Sequence, residues 1–260
     1  MLDFAVDAAR QAGEVTLRYF RHDALEVTGK ADGTSVTRAD REAESQLRSL
    51  IETRFPSHSI MGEEQGQSGH SSTRWILDPV DGTFSFVRGV PLYGTLVGLE
   101  RDGEMVLGVL YMPALDELVY AARGLGAWHR VGRVTETRAR VSSVASLDEA
   151  LMCTTSSDYF RKAGIAGLLP ELAGKFGHNR GWSDCYAALL VATGRAEAVV
   201  EPLIHPWDVA AIKPIIEEAG GRYSDWSGDG SIHRPTALMS NGLVHDELIA
   251  MLHASAAEIQ

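Results

Sequence analysis

Two textures divide this chain, and they limit the folds open to it more than any other feature. Across residues 58–122 one short apolar run follows another (58–61, 75–77, 93–100, 106–112 and 117–122), each of a length suited to a strand. Arg101-Asp102-Gly103 reads as the turn of a hairpin between the third and fourth runs. After about residue 140, apolar runs at 151–154, 196–201 and 238–240 alternate with helical patterns at 159–176, 185–193, 207–219 and 246–252. Gly220-Gly221 ends the third of those helices. Strands first and alternation afterwards predict an α+β lobe over 1–140 packed tightly on an α/β lobe over 141–260, together one compact unit.

Two helices precede the strands. One spans 2–20 with Leu2, Val6, Ala9, Gly13, Leu17 and Phe20 on its inward stripe. The other spans 38–54, with Ala39, Ala43, Leu47, Leu50 and Ile51 inward, and Pro56 ends it. Between them, 25–37 reads as a hairpin or mobile loop around Gly29-Lys30-Ala31-Asp32-Gly33.

Composition removes several classes of function. Of 260 residues, 45% are apolar and 23% charged, which excludes a disordered chain. Two cysteines, Cys153 and Cys185, are too few for a disulfide scaffold. Twenty-four basic against 35 acidic residues leave a net charge of -11, the wrong sign for a bulk nucleic-acid binder. Met1–Asp7 carries acids where a leader would carry bases, and no apolar run approaches the roughly 18 residues of a membrane span. A cytoplasmic protein with neither a nucleic-acid nor a membrane partner is the expectation.

The chemistry concentrates at Trp75-Ile76-Leu77-Asp78-Pro79-Val80-Asp81-Gly82-Thr83. A buried strand is expected to end on Asp78, because Pro79 cannot extend a ladder and Gly82 permits a sharp turn. Asp78 and Asp81 would then emerge together, with the Val80 carbonyl claimed by no regular structure. Two carboxylates and a carbonyl make a hard oxygen site suited to Mg²⁺. If Thr83 opens a helix, the Gly82 and Thr83 amides would bind a phosphate. The same two acids also suit an Asx turn. Gly62-Glu63-Glu64 places more acids at a strand end, or in a solvated loop. Asp208, in Pro206-Trp207-Asp208, is a further acid or a helix N-cap. Cys185 follows Asp184, which raises a thiol pKa, so a buried structural cysteine is expected and not a nucleophile. His205 reads as a rim residue, and the nine histidines show no zinc spacing.

Four elements in order resemble the Mg²⁺-dependent inositol-monophosphatase superfamily. They are Lys30-Ala31-Asp32-Gly33-Thr34-Ser35-Val36-Thr37-Arg38-Ala39-Asp40, Gly62-Glu63-Glu64, Asp78-Pro79-Val80-Asp81-Gly82-Thr83, and Trp207-Asp208 with Ala210-Ala211 and Ala219-Gly220-Gly221. Gly181-Trp182-Ser183-Asp184-Cys185-Tyr186 and the run Leu189 to Glu197 resemble the histidinol-phosphatase branch, with Ser183 where that branch usually has Gly. Ser85 stands where the inositol branch typically has Asn.

The resemblance implies a layered αβαβα sandwich, usually a homodimer, and two or three Mg²⁺ ions. Glu63, Asp78 and the Val80 carbonyl would hold the first. Asp78, Asp81 and Asp208 would hold a second, and Glu63 would help bind a third. Asp40 and Thr83 would orient the attacking water. The implied reaction is hydrolysis of a small phosphorylated metabolite, L-histidinol phosphate first. The alternatives are inositol 1-phosphate, nucleoside 3′,5′-bisphosphate, fructose 1,6-bisphosphate, or a catalytically quiet RNA- or transcription-binding regulator. Asp184 and Glu201 are candidates to accept hydrogen bonds from a substrate amine, or structural acids. Arg180 and Arg88 are candidate phosphate or dimer-rim contacts, and Lys30 a residue that closes over the site.

Overall fold

The computed structural model describes residues 1–22, 25–29, 35–132 and 135–258. In chain order the helices and strands are α1 (Leu2–Leu17), β1 (Val27–Gly29), β2 (Ser35–Thr37), α2 (Arg38–Arg54), β3 (Ser59–Gly62), β4 (Gly66–Ser68), β5 (Thr73–Asp81), α3 (Thr83–Val87), β6 (Gly94–Arg101), β7 (Glu104–Met112), β8 (Glu117–Ala122), β9 (Gly126–Val131) and β10 (Thr135–Arg138). There follow β11 (Leu151–Cys153), α4 (Ser157–Lys162), α5 (Leu168–Ala173), β12 (His178–Arg180), α6 (Asp184–Ala192), β13 (Ala198–Glu201), α7 (Pro206–Ala210), α8 (Ile212–Glu218), β14 (Arg222–Ser224), β15 (Ala237–Ser240) and α9 (His245–Glu258).

Eight strands form one sheet in the order β10-β9-β8-β7-β6-β5-β3-β4, and five form another in the order β12-β11-β13-β15-β14. Alternation along the strands assigns their faces. Trp75, Leu77, Val97, Leu99 and Val109 pack with Ala5, Ala9 and Ala12 of α1 and Leu47 and Ile51 of α2. Ile76, Leu96 and Leu110, on the opposite face, pack with Leu189 of α6 and Ile212 and Ile215 of α8. Val199 and Met239 of the second sheet join that same cluster. Met152, Val200 and Leu238 turn the other way, onto Phe160, Leu172 and Leu248 of the outer helices. The layers are therefore helix, sheet, helix, sheet, helix, the sandwich expected. Among the described residues, no helix is long and apolar enough to cross a membrane.

Several local expectations change. Val6, Ala9 and Gly13 of the expected stripe are buried, but Leu17 is 40% exposed, and the buried face of α1 takes in Ala5, Ala8, Ala12, Val15 and Thr16 as well. Small residues there let α1 lie close to the sheet. The single helix expected over 159–176 is two short ones, interrupted where Gly164 takes φ +78. The helix over 207–219 is likewise α7 followed directly by α8. At that junction a Cβ on Gly108 would stand 1.9 Å from the Ala211 carbonyl oxygen. The bare β7 backbone thus lets α7 and α8 press onto the large sheet.

The largest correction concerns Asp78. The strand does not end there: β5 runs through Pro79 and Val80 to Asp81. Asp78 pairs with Leu96 and Asp81 with Gly94, so β5 carries one extra residue and bulges. A bulge is where a strand tolerates proline.

Candidate active site

Strands β3 and β5 pair in parallel, Gly62 opposite Leu77. Their C-terminal ends therefore reach the same edge of the sheet, and Glu63 follows one while Asp78 to Asp81 form the other. The Glu63 N–H donates to the Leu77 carbonyl (3.2 Å), fixing that acid beside the bulge. Helix α7, packed on β5 and β6, brings in Asp208 from about 130 residues downstream.

Carboxylate oxygens of Asp78, Asp81 and Asp208 lie within 4.8 Å of one another. Glu63 is not part of that tight trio, but its charge, with those of Asp81, Asp208 and Asp40, acts on Asp78. Burial first, and these neighbours second, raise the Asp78 carboxyl well above its ordinary range. Asp81 is raised well above it too, by burial and then by Asp184 and Asp208. Carboxylates held this close in a buried place repel one another, and a hard cation is the natural counter-charge. The donor set is all oxygen, which fits such an ion and not a soft metal.

Asp78 makes the Asx-type bond without leaving the acidic cluster. Its Oδ1 accepts the Val80 N–H at 3.0 Å, an Asx-type bond, while the carboxylate still belongs to the trio. Asp208 is not an N-cap: it is the third helical residue of α7, and its Oδ2 accepts the N–H of His205, the N-cap (2.7 Å). His205 is exposed and stacks on Trp207, centroids 4.9 Å apart. The Val80 carbonyl is not unclaimed, since the Thr83 hydroxyl lies 3.0 Å from it. That hydroxyl also lies 3.2 Å from Asp40 Oδ1, so its one proton serves either acceptor. Asp40 Oδ2 accepts the N–H (2.8 Å) and hydroxyl (2.5 Å) of Thr37 in the capping box of α2. Gly82, at φ +84, begins α3, with no side chain capping it.

A second group of acids adjoins the first. Asp81 Oδ2 accepts the Cys185 N–H at the start of α6 (2.5 Å). Asp184 has φ +54, and its Oδ2 would lie 3.1 Å from a Cβ placed on Gly82, so it stands against the Gly82–Thr83 turn. Its carboxyl is raised by burial, against the pull of hydrogen bonds from Ser183 and Thr155. Glu201 is buried. Its Oε1 accepts the Thr155 N–H (2.6 Å) and hydroxyl (3.0 Å), while Oε2 has no partner. Burial, then the Asp184 charge, pushes the Glu201 carboxyl up to about 8. The Cys185 thiol is driven well up by burial and by Asp81, the opposite of a reactive thiolate.

The two candidate arginines make other contacts. Arg180, on edge strand β12, is exposed and donates to the Asn179 carbonyl (2.7 Å). Arg88 is exposed, its guanidinium over the Phe84 ring. Lys30 lies outside the described residues. Sequence reasoning missed Thr37 and Thr155. Thr37-x-x-Asp40 is a capping-box pattern that could have been read. Nothing in Thr154-Thr155-Ser156-Ser157 singles out Thr155.

The model of the inositol monophosphatase family matches residues 1–260. A histidinol-phosphatase of Chlorobaculum parvum is 42% identical, the match covering 96% of each chain. A histidinol-phosphatase of Mycobacterium tuberculosis is 37% identical over 97% of this chain and 98% of its own. The solved IMPase of Thermotoga maritima superposes with a TM-score of 0.87 at 34% identity, covering 100% of this chain and 99% of that one. With the carboxylate trio where the end of β5 meets α7 and the five-layer sandwich behind it, these likenesses place the chain in the inositol monophosphatase family.

Proposed function

We propose that this protein is a Mg²⁺-dependent phosphomonoesterase of the cytoplasm, active as a homodimer, whose substrate is L-histidinol phosphate. The observation that carries the reading is the convergence of Asp78, Asp81 and Asp208 beside the Gly82–Thr83 turn, with Asp184 and Glu201 adjoining. The names of the two histidinol-phosphatase relatives support the choice of substrate.

Glu63, Asp78 and the Val80 carbonyl would hold one ion, and Asp78, Asp81 and Asp208 another, with Glu63 shared by any third. When bound, Mg²⁺ supplies a lowered water pKa and charge neutralisation for the leaving alkoxide. The chain does the rest. Asp40 is held rigid by Thr37, so the Thr83 hydroxyl can donate to Asp40 and keep its lone pairs for a hydrogen bond from the attacking water. The Gly82 and Thr83 amides face the phosphoryl oxygens as charge spreads over them. Asp184 and Glu201 accept hydrogen bonds from the cationic amine of histidinol, and the cation favours their ionised forms.

The test is phosphate release from L-histidinol phosphate, inositol 1-phosphate, a nucleoside 3′,5′-bisphosphate and fructose 1,6-bisphosphate, each with Mg²⁺ and with chelator. Mg²⁺-dependent turnover is expected to be fastest on histidinol phosphate. A faster inositol 1-phosphate reaction would move the protein to the inositol branch, and no turnover of any ester would favour the regulator.

A further inference from the structure

We propose that Glu44, clamped by Arg48, is a positioning residue that sets Glu63 against the metal site. The inference deepens the reading above and rests on it. Glu44 is fully buried on α2, and Arg48 one turn later is nearly so, with Nε 2.7 Å from Glu44 Oε1. A buried ion pair adds little stability over well-packed apolar residues, so its presence asks for another reason.

That reason lies in what the pair grips. Glu44 Oε2 accepts the N–H of Glu64 (2.7 Å) and Oε1 that of Gln65 (3.1 Å). Arg48 donates to the Gly66 carbonyl and to Ser68 Oγ (3.1 Å). On the other side of Glu63, a Cβ added to Gly62 would stand 2.2 Å from Glu44 Oε1, so only glycine lets the carboxylate reach under the turn. Glu63 is thereby bracketed, Gly62 against Glu44 on one side and Glu64 bonded to it on the other. Its own N–H is tied to β5 one residue before Asp78. Helix α2 also carries Asp40 one turn before Glu44, and the Glu63 charge acts on both Asp40 and Asp78. One rigid helix thus fixes the distance between the Glu63 turn and the Asp40–Thr83 pair. Groups that orient metal ligands in this way are worth about ten- to a hundredfold in metal affinity.

The full-length protein is titrated with Mn²⁺ alone, followed by electron paramagnetic resonance, and assayed with Mg²⁺ and L-histidinol phosphate. In Glu44→Gln, an amide N–H₂ faces backbone N–H donors and Arg48 loses its counter-charge. One class of Mn²⁺ site is expected to weaken about tenfold, and the half-saturating Mg²⁺ concentration to rise by a similar factor. KM for substrate at saturating Mg²⁺ should stay within about twofold, a split that a general loosening of the fold would not give. Gly62→Ala, which displaces the same carboxylate from the other side, should reproduce the pattern. Arg48→Lys keeps the charge but not the fork, so it should show a smaller shift in the same direction, and it carries the test if either of the first two fails to fold. Any of these variants folding with the parent's Mn²⁺ affinity overturns the inference. A parent protein that binds no Mn²⁺ overturns the metal reading beneath it, and that result needs no variant.

Discussion

Removing a carboxylate of the Asp78–Asp81–Asp208 trio should stabilise the metal-free protein while it lowers turnover, and Asp81→Asn is the sharpest case. Its carboxylate lies within 4.8 Å of both Asp78 and Asp208. At an effective dielectric constant of about 20, two unit charges at that separation repel by roughly 3.5 kcal/mol. The site relieves part of this by taking up protons, because Asp78 and Asp81 are both raised well above the ordinary carboxylate range. Asn keeps an oxygen for the Cys185 N–H but loses the charge that strengthens that bond. The net gain left near neutral pH is about 2 kcal/mol, or roughly 4–8 °C for a chain of this size. The sign fixes the pH dependence. An acid whose folded pKa lies above its unfolded value costs stability as pH rises from about 4 toward the raised pKa. The two melting curves should therefore converge near pH 4 and separate above it. Thermal melts in chelator and in saturating Mg²⁺ measure the effect. The parent should gain several degrees from Mg²⁺ by mass action, and the variant much less. Turnover of the variant should fall at least about a hundredfold. A variant that melts lower than the parent in chelator, yet keeps the full Mg²⁺ shift, would refute the electrostatic account of the trio.

Three other outcomes are expected. Thr83→Val keeps the shape but removes the hydroxyl shared by Asp40 and Val80, so kcat should drop about a hundredfold while Mn²⁺ affinity holds; equal losses in both would contradict a water-orienting role. Glu201, with its carboxyl pushed up to about 8 by burial and the Asp184 charge, should release a proton when a cationic amine binds. Calorimetry in buffers of different ionisation enthalpy reads that proton, and its persistence in Glu201→Gln would rule Glu201 out as its source. His245 is fully buried between Ser224 and Ser240 (2.9 Å each), and its pKa is lowered to about 4, chiefly by burial. Ser224 spends its proton on the Asp225 carbonyl, which assigns Nε2 as the donor and leaves Nδ1 to accept from Ser240. This stability is complete above pH 6.5 and is lost as pH falls through 4, up to about 3 kcal/mol. Urea midpoints should show it, and His245→Gln should flatten the slope.

The fold was readable where periodicity and burial agree. Strands such as β6 and β7 carry apolar residues on both faces because helices cover the sheet on both sides, and continuous apolar runs report that directly. The edge strands β4 and β12 left no such trace, because they are three residues long and exposed throughout. The bulge in β5 was hidden for another reason. Pro79 normally ends a ladder, and whether a strand resumes depends on what its neighbour offers; here β6 pairs again at Gly94, opposite Asp81.

The site divides along a similar line. Asp78, Asp81 and Thr83 stand within six residues, so their joint chemistry was visible before any fold was known. Their meeting with Glu63 and Asp208 follows from two packing facts that no local pattern encodes. One is the parallel pairing of β3 with β5, and the other the close seat of α7 and α8 over Gly108. The supporting residues were harder still. Glu44 looks like one more charge on an amphipathic helix, and its partner Arg48, four residues on, looks like an ordinary surface pair. Apart from the order of the charges, burial separates this pair from the more exposed Arg38 and Glu42 on the same helix, which share its spacing and its 2.7 Å contact. Spacing along a helix says which side chains can touch; what the helix lies against decides whether that touch can position a third residue, and here it lies against the turn that carries Glu63.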